Sequence, residues 1–140
     1  PVSDARVLDL FAGTGALGLE ALSRGAASCL FVEQDAAAIR ALRSNIAALR
    51  AQARCEVRAG SALTLGSAKV PLDLLFLDPP YGSGAGIVAL DKLARLGWIG
   101  PASWVSLETA HDEAVAVKGF ATEAERRVGK AKLTLVRREA

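Results

Sequence analysis

The run Gly13-Thr14-Gly15-Ala16-Leu17-Gly18 limits the fold more tightly than any other stretch of the chain. Arg6-Val7-Leu8-Asp9-Leu10-Phe11 before it reads as a β-strand, and a helical pattern follows it to about Arg24, with Gly25 placed as the C′ residue. Glycines at G-x-G-x-x-G spacing between a strand and a helix let the backbone turn sharply, approach a ligand closely and aim a helix N-terminus at an anion. Glu33 closes the next strand, Ser28-Cys29-Leu30-Phe31-Val32, at the distance expected for a carboxylate that grips ribose hydroxyls. Two ligands suit such a cradle. A dinucleotide would set its pyrophosphate on the helix N-terminus, whereas S-adenosylmethionine would set its carboxylate there. Asp9 favours the second, because an acid beside the loop repels pyrophosphate and attracts an ammonium group.

The rest of the chain repeats the alternation. Asp35 is placed to cap a helix whose Ile39, Leu42, Ile46 and Leu49 recur at helical spacing, with Arg40, Arg43 and Arg50 on its solvated side. Residues 55–58 read as a third strand ending at Gly60-Ser61-Ala62. Leu72-Asp73-Leu74-Leu75-Phe76-Leu77 reads as a fourth, buried strand, residues 87–96 as a helix stopped by Gly97, and residues 104–108 as a fifth strand. Phe120 to Val128 and Ala131 to Arg138, joined by Gly129-Lys130, read as an antiparallel hairpin. The pattern predicts an α/β, doubly wound, mostly parallel sheet with an antiparallel edge and helices on both faces. Its 140 residues suffice for one domain with a real core.

The fourth strand ends at Asp78-Pro79-Pro80-Tyr81. Two prolines fix φ and remove two backbone donors, so nearby carbonyls stay free to accept. Asp78 adds an acceptor and Tyr81 a flat face, a combination suited to a planar group bearing an amine, such as a nucleobase. A cap, a strand stop and rim packing are the plainer reading of the same four residues. Ligands of open α/β sheets sit beyond the carboxyl ends of the strands at the switch point. The glycine loop and the Asp78 turn are therefore expected to face one crevice.

Composition narrows the alternatives. The net charge is only +2, so the average surface does not announce nucleic acid. No apolar run is long enough to cross a bilayer, and the opening Pro1-Val2-Ser3-Asp4 is not a signal peptide. The chain lacks an initiator Met, which reads as a shortened N-terminus. Cys29 and Cys55 lie in predicted strands without C-x-x-C spacing, which points to free buried thiols in a reducing cytoplasm and to no metal site. His111, the only histidine, reads as a loop residue. Arg126, Arg127, Lys130, Lys132, Arg137 and Arg138 form a basic cluster that strand alternation divides between two faces, so it is as suited to guarding an edge as to touching RNA.

The stretch from Val7 to Ala26, together with Phe31-Val32-Glu33, Phe76-Leu77-Asp78-Pro79-Pro80-Tyr81 and Leu135-Val136-Arg137-Arg138-Glu139, resembles the bacterial 16S rRNA guanine-N2 methyltransferases of the RsmD type. The resemblance runs from about residue 6 to the end. It implies a class I fold of seven strands, the last antiparallel, that binds S-adenosylmethionine and methylates one guanine of 16S rRNA, free or within the small ribosomal subunit. It also implies a cytoplasmic protein, read here as a monomer without metal or membrane partner. Carried over by position, Gly13 and Gly15 admit the methionine part, with Asp9, Phe11, Ala12 and Ala16 around it. Glu33 and the adjacent Gln34 face the ribose, and Ser61 and Ala62 flank the adenine. Ser61 stands where many relatives of the wider class carry Asp. Asp78 and the Pro79 carbonyl would accept from the guanine amine, with Tyr81 stacked on the base and Asp78 also bordering the cofactor. The family's basic segment and helix ahead of the first strand have no counterpart here. The rival readings are methyl transfer to adenine or to a protein amide, a dinucleotide-dependent oxidoreductase, and a non-catalytic RNA-binding module.

Overall fold

A computed structural model describes residues 2–80 and 84–139. Tyr81 lies outside the described residues. The elements follow in the order β1 (Arg6–Leu10), α1 (Ala16–Ser23), β2 (Ser28–Glu33), α2 (Ala36–Ala48), β3 (Cys55–Ala59), β4 (Leu72–Leu77), α3 (Ala85–Arg95), β5 (Ile99–Ala110), β6 (Phe120–Val128) and β7 (Ala131–Arg138). They form a seven-stranded mixed sheet of order β3-β2-β1-β4-β5-β7-β6, the Rossmann-like class I arrangement expected. The chain packs as two compact units, Pro1–Leu65 and Gly66–Ala140.

In the first unit β1, β2 and β3 are parallel, with Leu10 beside Val32 and Glu33 beside Ala59. Val7 and Leu8 point to opposite faces of β1 and both are buried, which is why this strand reads as an unbroken apolar run. Leu19, Ala21 and Leu22 bury the inner side of α1, and Gly25, at φ 103, follows its C-terminus in the left-handed region. Asp35 caps α2 as expected by accepting from the Ala38 amide at 2.8 Å. The apolar stripe of α2 stops earlier than its spacing predicts: Leu42 and Ile46 are buried, but Leu49 is the C-cap residue and 62% exposed. Cys29 and Cys55 are both free and stand beside each other on β2 and β3, the first buried and the second half-buried. Burial, then the nearby Asp9 charge, pushes the Cys29 thiol far up, so it behaves as an inert apolar group.

In the second unit β4 and β5 are parallel, and β5–β7 and β6–β7 are antiparallel. The hairpin has the expected bounds, with Gly129 at φ 59 in its turn. β5 is longer than its apolar core suggested. Leu72 pairs with Ile99, but Leu74 pairs with Trp104, so β5 carries an irregular stretch between. Ser103 holds that stretch together, its Oγ accepting from the Gly100 amide at 2.8 Å and donating to the Leu72 carbonyl at 2.5 Å. α3 begins before Ile87 because Gly84, at φ 70, forms its N-cap, and Leu96 and Gly97 end it. Gly86 lets the helix lie close on β5, since a Cβ there would stand 2.6 Å from Leu107 Cδ1.

Gly18 has a comparable packing role in the first unit. A Cβ at Gly18 would stand 2.5 Å from Phe31 Cε1 and 2.6 Å from Cys29 Sγ, both buried. Gly18→Ala should therefore lose about 1–3 kcal/mol of stability in urea unfolding, the range for overpacking a well-filled core. Gly66→Ala, where no heavy atom lies within 4 Å, is the control and should stay within about 0.5 kcal/mol. Equal effects of the two substitutions would contradict this packing.

Candidate functional site

Three loops leave the carboxyl edge of the parallel strands in the first unit: residues 11–15 after β1, 34–35 after β2 and 60–61 after β3. The ladder continues a step past the strands, through the Ala12 amide to Val32 O at 3.0 Å and the Gly60 amide to Glu33 O at 2.9 Å. This holds the loops side by side. The glycine loop is built from left-handed backbone, with Phe11 at φ 63, Gly13 at 58 and Gly15 at 87. Phe11 is the non-glycine residue among them, a conformation that is costly for an aromatic side chain and is tolerated where the surroundings enforce it. Gly13 faces open space, with no heavy atom within 4 Å of a Cβ built there. Gly15 is packed: a Cβ would collide with Leu42 Cδ1. Ala12 is buried and Ala16, the first residue of α1, is exposed.

Two carboxylates set this loop. Glu33 Oε1 accepts from the Gly13 amide at 2.7 Å, and Oε2 accepts from Gln34 and Asp35 amides at 3.0 and 2.9 Å. Glu33 therefore ties the loop after β1 to the turn after β2, and three of its roughly four acceptor positions are used. Asp9 is buried, at 1% exposure, and its Oδ2 accepts from the Gly18 amide at 2.9 Å. Gly15 caps α1 without a side-chain acceptor, so Asp9 does that work from the strand beneath. Asp9, an acid whose place beside the loop suits a ligand's ammonium, anchors the first turn of α1. Asn45 of α2, which sequence reading passed over, donates from Nδ2 to Thr14 O at 3.0 Å and braces the loop from outside. Its signal was a lone amide in a helix, indistinguishable from a solvated residue. Ser61 caps a short 3-10 turn, its Oγ accepting from the Leu63 amide at 3.2 Å, and Ala62 beside it is half-buried.

In the second unit the end of β4 carries Asp78, half-buried, then buried Pro79 and exposed Pro80. Leu77 lies beside Leu107, so Asp78 and Glu108 leave two adjacent parallel strands side by side. Their carboxyl groups share a hydrogen bond. Burial, then that bond and the Glu108 charge, push the Asp78 carboxyl up to about 6. Glu108 was legible in the sequence only as the last residue of an apolar strand.

The other candidates are mainly engaged within the fold. His111 is exposed, its amide bonded to Lys130 O at 2.8 Å. Of the basic cluster, Lys132 is buried and donates to Glu113 O, Arg127 pairs with Glu125 at 2.9 Å, and Arg138 donates to Ile99 O at 2.8 Å. Arg137 lies 4.3 Å from the Trp104 ring centroid. These contacts favour the edge-guarding reading of the cluster. Among the described residues no group of three or more His, Cys, Asp and Glu is arranged to hold a metal ion, and no helix is long and apolar enough to cross a membrane.

Residues 1–137 match a family model described as conserved hypothetical protein 95. The chain is 36% identical over 108 residues to ribosomal RNA small subunit methyltransferase D of Escherichia coli K12, covering 77% of this chain and 54% of that protein. The same-named protein of Haemophilus influenzae is 33% identical over 118 residues, covering 80% of this chain and 60% of that one. The chain thus spans about half the length of the curated relatives it matches. A solved Escherichia coli structure, described as a candidate methyltransferase, superposes with a TM-score of 0.87 at 33% identity, covering 99% of this chain and 78% of that one.

The raised proton affinity of Asp78 has a stability consequence. The folded chain binds this proton more tightly than the unfolded one, so the ionised form costs stability above about pH 6, and the cost is relieved as pH falls from there toward the ordinary aspartate value. Asp78→Asn should therefore melt above the wild type at about pH 8, with a margin that shrinks through about pH 6 and is gone by about pH 4. Calorimetric scans across that range check it. A margin independent of pH would mean that Asp78 titrates normally.

Proposed function

Because the chain belongs to the conserved hypothetical protein 95 family, that of the RsmD-type small-subunit rRNA methyltransferases, we propose that it takes part in S-adenosylmethionine-dependent methylation of 16S rRNA, at the exocyclic N2 of a guanine. The two units act in this reading as one methyltransferase domain, monomeric, with 16S rRNA or the small-subunit particle as partner. Bound S-adenosylmethionine supplies an electrophilic methyl group on a sulfonium, which is a good leaving group and needs no metal assistance. The residues of the first unit fit that cofactor: Gly13 leaves open space where a side chain would stand, and Glu33 keeps an acceptor position free beside the loop. Gly13 and Gly15, with Phe11, Ala12 and Ala16, would take the methionine part. Glu33 and Gln34 would take the ribose, and Ser61 and Ala62 the adenine, with Asp78 bordering the cofactor. Asp9 lends negative charge from below the loop toward an ammonium.

The observation that carries the choice of base is Asp78. An ionised carboxylate only accepts, and guanine presents N1–H and N2–H as adjacent donors; adenine presents a donor beside an acceptor, which an amide side chain would match better. With its carboxyl raised to about 6, Asp78 is still largely ionised at neutral pH. Asp78 and the Pro79 carbonyl would hold the amine so that its lone pair points along the line of displacement, and positioning would supply most of the rate gain. Tyr81 would stack on the extruded base, returning about 1–3 kcal/mol.

Methyl transfer from labelled S-adenosylmethionine to undermodified small-subunit particles and to free 16S rRNA, with the product nucleotide mapped, tests the reading. A single N2-methylguanine is expected; label on adenine or on a protein amide would overturn the choice of base. Asp78→Ala should abolish transfer with cofactor affinity nearly unchanged. Glu33→Ala should weaken S-adenosylmethionine binding in calorimetry by about 1.5–3 kcal/mol, the worth of charge-assisted hydrogen bonds. Unchanged affinity would remove Glu33 from the site, and binding of NAD in its place would favour an oxidoreductase.

A further inference from the structure

Asp78 does not stand alone at the end of its strand. The β4–β5 register, with Leu77 beside Leu107, brings the next residue of each strand to the same edge, and the two carboxyl groups meet there in a hydrogen bond. Two carboxyl groups bond to each other only if one of them carries a proton, so the pair is built to share one. Both side chains are only half-buried, which leaves the pair reachable from solvent and from a ligand. The half of α3 that packs on Pro79 and Leu107, residues 85–90, contains no charged residue, and Asp91, Lys92 and Arg95 all lie in its later turns. On β7 the residue opposite Glu108 is Leu133, and the ammonium of neighbouring Lys132 is bonded to Glu113 O. Among the described residues, Glu108 is the ionisable group that acts on Asp78.

We propose that Glu108 is a positioning residue for the transfer step, which works through Asp78 to make the carboxyl pair the acceptor of the proton that leaves the exocyclic amine. This rests on the methyltransferase reading above and deepens it. In the step, the amine nitrogen bonds to the methyl carbon as the carbon–sulfur bond breaks and its electron pair stays on sulfur. The N–H electron pair returns to nitrogen, and the proton passes to the Asp78 carboxylate, where the hydrogen bond to Glu108 shares it. The sulfonium loses one positive charge, and the pair goes from two negative charges to one. An isolated aspartate is a weak base toward this proton, whereas a carboxylate beside a second one is stronger, and general-base efficiency rises as proton affinity approaches the working pH. The geometry also has a cost for the enzyme in acid: a protonated Asp78 is a weaker acceptor for N1–H and N2–H and has no vacancy for the departing proton, so base binding weakens as proton uptake fails.

The experiment pairs a carboxyl titration of the free protein with a rate profile. Carbon-detected NMR follows the Asp78 side chain from about pH 4 to about pH 8 in the wild type, in Glu108→Gln and in Glu108→Asp, and single-turnover methyl transfer to small-subunit particles is measured over the same range. In the wild type, Asp78 is expected to titrate near 6, and the acid limb of the rate profile to coincide with it. In Glu108→Gln, which keeps the shape and the hydrogen bond, the midpoint falls while staying above the ordinary aspartate value, because burial remains. The acid limb moves by the same interval and the plateau rate drops. Glu108→Asp, which keeps the charge, restores both toward the wild type. An ordinary wild-type titration of Asp78, which needs no variant to fold, overturns the inference, as does an acid limb that Glu108→Gln leaves in place. If transfer proceeds to guanine but Asp78 titrates identically in wild type and Glu108→Gln, Glu108 loses its role and the methyltransferase reading stands. If Asp78 titrates as expected but no methyl reaches a guanine at any pH, the reading itself fails and the proton-acceptor role falls with it.

Discussion

The carboxylate of Glu33 is the contact through which the glycine-loop unit is organised. Three backbone amides, those of Gly13, Gln34 and Asp35, converge on it, so one side chain joins the loop after β1 to the turn that opens α2. A backbone donor near the surface of a tight loop would otherwise depend on water, and charge-assisted bonds of this kind are about twice as strong as neutral ones. Asp9 answers from the opposite side, holding the Gly18 amide at the start of α1. Between the two, the left-handed residues Phe11, Gly13 and Gly15 keep a shape that the isolated heptapeptide would not hold.

This arrangement explains how one loop can be both open and firm. Gly15 and Gly18 are closed in by Leu42, Phe31 and Cys29, so their missing side chains serve packing, whereas a Cβ at Gly13 would meet no heavy atom within 4 Å. Three glycines within six positions thus meet two different surroundings. The second unit solves a different problem. It brings two acids together at the ends of neighbouring strands, where water is partly excluded and an ionised pair is unfavourable. Placements of that sort are costly to the fold and are found where a protein moves protons or grips polar groups.

The basic residues of the hairpin show why charge counts are a poor guide to a nucleic-acid surface. Lys132 is buried against Glu113, Arg138 is bonded to Ile99 O and Arg137 lies over Trp104, so each is spent on holding β5, β6 and β7. A cation stacked on an aromatic ring and bonded to a carbonyl must surrender both before it can reach a phosphate.

Much of the fold was legible because its determinants are local. Alternation and apolar runs marked all seven strands, Asp35 and Gly25 marked helix ends, and Gly129-Lys130 marked the hairpin, since each depends on φ preferences and periodicities that neighbouring residues set for one another. The candidate site positions Gly13, Gly15, Glu33 and Asp78 were legible for the same reason: they stand at junctions between elements. Where long-range contacts decide, the sequence was mute. Leu49 falls on the apolar stripe of α2 but no partner covers it, and the start of β5 is displaced by the Ser103 bridge to Leu72. That Asp9 supports a helix turn, that Asn45 braces Thr14 and that Glu108 raises the proton affinity of Asp78 all depend on which strands and helices become neighbours. Spacing along the chain selects the residue types and the elements that carry them. Proton affinity and hydrogen-bond partnership are set by distance and desolvation in space, and only the packed sheet supplies those.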